Sequence, residues 1–217
     1  MTKVYLVRHG ETEWNSARRI QGRTDIGLSA WGQAQAQRLN QRFRETHLDR
    51  VYSSPLLRAR QTAEEIVAGR PLTVSFDGAL AERSLGEWEG LLFNEIEARF
   101  PEERKEWLAN PWFAPTGGES LIEVRDRAWG VWQRAVGGPP DSAVLLVTHA
   151  YVAQMLLGIA SGLPRETTWA SYPFRVLNAS VSVIDVSPKP NGQDGGEAQV
   201  VMLNDLSHLE DLPSVIS

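Results

Sequence analysis

Two short uninterrupted apolar runs, residues 4–7 and 143–147, each end at a polar triplet, Arg8-His9-Gly10 and Thr148-His149-Ala150. Runs of this length are expected of strands buried on both faces of a sheet. Further strands are expected at residues 49–52, 72–76, 180–186 and 199–203. Between and around them, apolar residues recurring at helical spacing predict helices over 29–44, from Ser54-Pro55 onward to Val67, and over 119–136. Ser54 offers an N-cap hydroxyl and Pro55 suits the first helical position. Residues 187–196, rich in Pro, Gly, Asn and Asp, read as an exposed turn between the last two strands. Strands alternating with helices imply an α/β fold, with helices on the faces of one sheet.

Residues 91–118 depart from this alternation. They carry Phe93, Phe100, Trp107, Trp112 and Phe113 among prolines and charges. Two readings stand: a helical insertion covering a site, or ordinary aromatic packing under a loop. With no internal repeat and no long linker, the expectation is one domain spanning 1–217 with a lid-like insertion at 91–118.

Composition narrows the function classes. A net charge of −5 argues against a nucleic-acid partner, which would need clustered cationic surface. Arg8, Arg18, Arg19 and Arg23 nevertheless make a local cationic excess that a cleft could focus on a small anion. For Arg18 and Arg19 a solvated basic face is an equal reading. The chain has no cysteine, which excludes disulfides, thiolate metal sites and a cysteine nucleophile. The apolar stretch before Arg8 is too short for a signal peptide, and no run approaches a membrane span, so cytoplasmic residence without a membrane partner is expected.

Two of only four histidines, His9 and His149, fall at equivalent strand ends, where ligands of open α/β sheets bind. Arg8 places a cation beside His9, and Gly10 is expected to let a ligand approach the backbone. An arginine beside a metal ligand is unusual and no metal-binding spacing occurs, so a metal site is rejected. A neutral imidazole can attack phosphorus and form a phosphohistidine, dividing hydrolysis into two displacements. Arg58 lies off the stripe of Leu56, Ala59, Ala63 and Val67, which fits either a solvated residue or a phosphate ligand at a helix N-terminus. Cleavage also needs an acid for the departing alkoxide. Glu82, Glu87 and Glu89 all qualify on local sequence.

Val7-Arg8-His9-Gly10-Glu11-Thr12 with Trp14-Asn15 resembles the signature of the histidine phosphatase superfamily, the phosphoglycerate-mutase-like enzymes. The similarity continues through Gln21-Gly22, Asp25, Leu28-Ser29, Gly32, Ser53-Ser54-Pro55-Leu56, Arg58-Ala59, Gln61-Thr62-Ala63, Glu82, residues 86–90, residues 117–120 and Val147-Thr148-His149. It implies a three-layer sandwich with a mostly parallel central sheet and a pocket at the carboxyl edge of the strands. It implies His9 as the phosphorylated nucleophile and Glu82 as proton donor and then base. Arg8, Arg58 and His149 would hold the phosphoryl oxygens, with Asn15, Gln21, Gly22 and Ala150 also lining the substrate site. No cofactor is expected, since the arginines and second histidine fill the place that Mg²⁺ takes elsewhere. One departure is Ala150-Tyr151 where the family often has glycine: alanine keeps the backbone N–H, and Tyr151 is expected to narrow the pocket.

The leading expectation is a phosphatase for a small phosphomonoester. The alternatives are a phosphoglycerate mutase using the same phosphohistidine and, behind it, a non-catalytic phosphate-binding relative. The mutases of comparison carry a Phe-Thr-Gly-Trp-like segment where this chain has residues 20–23, and they are longer between the acid and the second histidine. Substrate choice is expected to lie in residues 91–118 and in the tail around 203–209. A homodimer is a reasonable assembly on general grounds.

Overall fold

The computed structural model describes residues 1–110, 112–165, 175–188 and 196–212. Its core is a six-stranded sheet in the order β3-β2-β4-β1-β5-β6, with β1 Thr2–Arg8, β2 Arg50–Ser53, β3 Val74–Phe76, β4 Ala143–Thr148, β5 Val181–Ser187 and β6 Glu197–Asp205. The pairs β2/β3, β2/β4 and β1/β4 are parallel, and β5 alone opposes the rest. The expected mostly parallel α/β sandwich is therefore present.

Alternation along the strands sends side chains to two cores. Val4, Leu6, Val144 and Leu146 pack against α6 (Leu121–Val136) and α7 (Ala150–Ala160). Val7, Val51, Leu145 and Val147 pack on the opposite face against α2 (Ala30–Phe43) and α3 (Leu57–Val67). Both faces of the central strands are covered, which is why those segments read as continuous apolar runs. Helix α7 gave no sequence signal because it is apolar nearly all round and lacks a stripe. The short edge strand β3 omits Leu72, since pairing with β2 extends over only Val74 to Phe76. Of the expected turn at 187–196, residues 189–195 lie outside the described residues.

One expected helix start is corrected. Ser54 and Pro55 precede α3 rather than cap it; the first helical residue is Leu57. Its amide is bound by Asp25 Oδ1 at 2.6 Å, so a residue from a distant loop caps the helix. Ser29 does cap α2 through Gly32 N–H, and Ser120 with Glu123 forms a capping box on α6.

Residues 91–118 contain α4 (Phe93–Arg99) and α5 (Pro101–Ala109). Together with Leu85, Trp88 and Ile96 the segment builds a third cluster, joined by Phe100, Trp107, Phe113 and Tyr151. Phe100, Trp107 and Phe113 thus pack in a small core of their own, whereas Phe93 is exposed and Trp112 packs against the α6/α7 core.

Candidate active site

Parallel pairing of β1 with β4 in the register Arg8 to Thr148 brings the next residues, His9 and His149, side by side. Their ring centroids are 5.0 Å apart, and both histidines are buried. His9 Nδ1 lies 2.6 Å from the carbonyl of Gly10. A carbonyl can only accept, so Nδ1 carries the proton and Nε2 keeps its lone pair. Burial, then Arg58 and Arg8, hold the His9 pKa well below its ordinary value. The imidazole is a neutral nucleophile with its reactive nitrogen fixed by the backbone.

Gly10 has a packing role that the sequence did not indicate. A Cβ there would lie 2.6 Å from the carbonyl oxygen of Gly32, and its amide donates to Thr62 Oγ1 at 3.1 Å. The missing side chain admits the start of α2. Thr62 in turn donates to the Arg58 carbonyl at 2.7 Å, tying α3 to the His9 loop.

Arg58 is only 1 % exposed, so the solvated reading does not hold. Its two terminal nitrogens donate to the carbonyls of Thr24 and Gly22, at 2.9 and 2.8 Å. Gly22 therefore orients the guanidinium. Its φ of +52° and the Glu89 carboxylate, 2.1 Å from where a Cβ would stand, leave room for no other residue. Arg8 donates from one terminal nitrogen to the Val176 carbonyl at 2.7 Å, and burial lowers its pKa to about 10 against the opposing pull of Glu82. Among the described residues, Arg8 Nε, Arg58 Nε and His149 Nδ1 are buried without a partner. Buried donors without acceptors are rare and costly in a folded chain, so three around one histidine point to an anionic ligand.

The three candidate carboxylates separate cleanly. Glu87 is exposed. Glu89 accepts from the amides of Arg23, Thr24 and Leu85 at 2.9–3.0 Å and thereby staples the 21–24 loop to residue 85. Glu82 is buried, and the amides of Arg83 and Tyr151 donate to its Oε1 at 2.9 and 3.2 Å. Burial raises its pKa, opposed by the Arg83 hydrogen bond and by Arg58, Arg8 and Arg127. Glu82 is thus disposed to hold a proton.

Asn15 sits in α1 (Glu13–Ser16), where its Oδ1 accepts from Thr12 N–H and from Asn178 Nδ2, both at 3.1 Å. Gln21 Oε1 is buried without a described partner. Ala150 opens α7 directly after His149. Among the remaining basic residues, Arg18 is exposed, whereas Arg19 binds the Gly90 carbonyl and Glu95. The tail at 203–209 reaches the site only indirectly, through Asn204 Oδ1, which accepts the Leu177 amide at 2.8 Å; beyond it, Arg42 on α2 pairs with Asp205 and reaches Ser207 and His208.

Sequence reasoning missed three contributors. Asn178 binds the His9 carbonyl at 3.1 Å across the sheet. Arg127 grips the carbonyls of Ala79, Ala81 and Glu82 and pairs with Glu119, fixing the loop that carries Glu82. Arg175, exposed, adds positive potential to Arg8. Their only signal is local polarity, which surface residues share. Among the described residues, no three His, Asp or Glu side chains gather as metal ligands, and no helix is long and apolar enough to cross a membrane.

A neutral buried histidine, unpartnered arginine nitrogens near it and one carboxyl with a raised pKa mark an α/β protein with a candidate anion site at the carboxyl edge of its sheet. Comparison makes the assignment more specific: residues 4–195 match the family model of the histidine phosphatase superfamily (branch 1), and the chain belongs to that family. It is 35% identical over 192 residues to phosphoserine phosphatase 1 of Hydrogenobacter thermophilus, covering 88% of this chain and 90% of that one. It is 36% identical to phosphoglycerate mutase-like protein 4 of Arabidopsis thaliana, covering 96% and 87%. The solved structure of Bacillus stearothermophilus YhfR superposes with a TM-score of 0.85 at 34% identity, covering 97% of this chain and 100% of that one. The protein is accordingly an enzyme of a superfamily whose members are phosphatases or mutases acting through a phosphohistidine.

Proposed function

We propose that the protein is a metal-independent phosphatase for a small phosphomonoester. The observation that carries this reading is the set of three unpartnered buried donors, Arg8 Nε, Arg58 Nε and His149 Nδ1, around a neutral His9 with Glu82 in the same pocket. The arginines and His149 hold the non-bridging oxygens. His9 Nε2 attacks phosphorus as the ester P–O bond breaks, and the Gly10 carbonyl stabilises the positive charge that develops on the ring. Glu82 gives its proton to the departing alkoxide. The resulting carboxylate then takes a proton from water as that water attacks phosphorus, the P–N bond breaks, and free phosphate leaves. Because Oε1 already accepts two N–H groups, the proton of Glu82 resides on Oε2.

Two sequence features favour hydrolysis over mutase chemistry: residues 20–23 lack the mutase-like segment, and the stretch from acid to second histidine is short. The relatives named for phosphoserine and for phosphoglycerate suggest a small carboxylated phosphomonoester. The test is phosphate release from para-nitrophenyl phosphate, phosphoserine, sugar phosphates and 3-phosphoglycerate with EDTA present, beside His9→Ala. Release that survives EDTA and disappears in the variant is the expected result. Interconversion of 3- and 2-phosphoglycerate in the presence of a bisphosphoglycerate primer, without net release, would make it a mutase.

A further inference from the structure

Arg83 and Tyr151 converge on Glu82 in two ways at once. Their amides donate to the same oxygen, Oε1. Their side chains also meet, with the Arg83 guanidinium 5.3 Å from the centre of the Tyr151 ring and hydrogen-bonded to that side chain. The same guanidinium lies 4.6 Å from the Trp107 ring, and donates to the Phe113 carbonyl at 2.6 Å and the Glu119 carbonyl at 2.8 Å. Arg83 is 1 % exposed, so the cation in this stack is shielded from water, which strengthens cation–π attraction. The two amides come from different elements, the loop after Leu80 and the first turn of α7. Arg127 already holds that loop through the carbonyls of Ala79, Ala81 and Glu82. The contact between the Arg83 and Tyr151 side chains adds a tie from the loop to α7, and through Trp107 and Phe113 it reaches residues 91–118.

We propose that Tyr151 is a positioning residue that, stacked with Arg83, fixes the Glu82 carboxyl for proton transfer and couples it to the aromatic segment 91–118. Tyr151 thus acts through Glu82. The proposal rests on the phosphatase reading with Glu82 as acid. An acid displaced by a fraction of an ångström fails when the leaving alkoxide needs a proton and matters little when the leaving group departs unaided.

The test compares kcat for glycerol phosphate, whose alkoxide is a poor leaving group, with kcat for para-nitrophenyl phosphate. Tyr151→Leu, which keeps an apolar side chain, is measured together with Tyr151→Phe, Glu82→Gln and the unaltered enzyme, with circular dichroism as a check of folding. Tyr151→Leu is expected to lose about tenfold or more on glycerol phosphate with a much smaller loss on para-nitrophenyl phosphate. Tyr151→Phe, whose ring still lies beneath the guanidinium, is expected to restore most of that loss. Equal losses on both substrates, or none, would overturn the proposal while leaving the phosphatase reading intact. Should Glu82→Gln show no leaving-group dependence, or the unaltered enzyme release no phosphate, the failure lies in the underlying reading and the proposal falls with it. If Tyr151→Leu does not fold, Arg83→Met gives the same comparison from the other side of the stack.

Discussion

Ser54 Oγ lies 2.7 Å from His149 Nε2. The same hydroxyl accepts the Leu56 amide at 3.2 Å, so its single hydrogen is free to go to the imidazole. His149 is then neutral with its proton on Nδ1, the atom left without a described partner, and burial, then Arg58 and His9, keep its pKa well below the ordinary value. Ser54→Ala removes this tautomer lock. Losing a hydrogen bond to a buried group costs about 1–3 kcal/mol, so kcat/KM for para-nitrophenyl phosphate is expected to fall by roughly 5- to 150-fold with the circular dichroism unchanged. An undiminished kcat/KM would show that His149 is oriented by other means.

The three neighbouring carboxylates should give three different phenotypes. Glu82→Gln is expected to lower alkyl phosphate hydrolysis by about 10²–10⁴-fold, the usual contribution of general acid catalysis, with melting temperature retained. Glu89→Ala strands the amides of Arg23, Thr24 and Leu85. At about 1–3 kcal/mol for such a loss and about 2–4 °C per kcal/mol for a chain of this size, melting should drop by several degrees. Glu87→Ala should change neither quantity. Paired activity assays and thermal scans on the three proteins decide the matter.

The pH profile follows from the directions of two shifts. His9 must be neutral to attack, and its lowered pKa keeps it so below pH 6.5. Glu82 must be protonated to act as acid, and its raised pKa extends that form above pH 4.5. Chemistry-limited kcat on an alkyl phosphate is therefore expected to decline as pH rises through the Glu82 pKa. This alkaline limb should vanish in Glu82→Gln. Persistence of the limb in that variant would assign it to another group.

Stability should run the other way on the acid side. His9 and His149 have folded pKa values well below 6.5, so the unfolded chain binds more protons than the folded one as pH falls through 6.5. Their contribution is present above that value and lost below it. The melting temperature is expected to drop between pH 7 and pH 5, and His149→Asn should flatten the slope. Slopes identical in variant and unaltered protein would contradict the assignment.

The central strands were legible because burial on both faces leaves an unbroken apolar run, and α2 and α6 because their caps are local. Helix α3 shows the limit: Ser54 and Pro55 imitate a helix start, yet Asp25 from another loop caps it and Ser54 is taken up by His149. Arg58 shows the same limit in the site. Its place off the apolar stripe was readable, but whether that side meets water or a buried pocket depends on where the Gly22 and Thr24 carbonyls lie. Glu82 could not be separated from Glu87 and Glu89 by local sequence alone, since what distinguishes them is burial and the amides each accepts.

By itself, then, the sequence determined the alternating elements and the two histidines at strand ends, because period and chain order are local properties. Only the tertiary structure decided the parallel β1/β4 register that sets the two imidazoles 5.0 Å apart. It likewise decided the tautomers and the buried donors left for an anion, because hydrogen-bond partners and desolvation are set by residues distant in sequence.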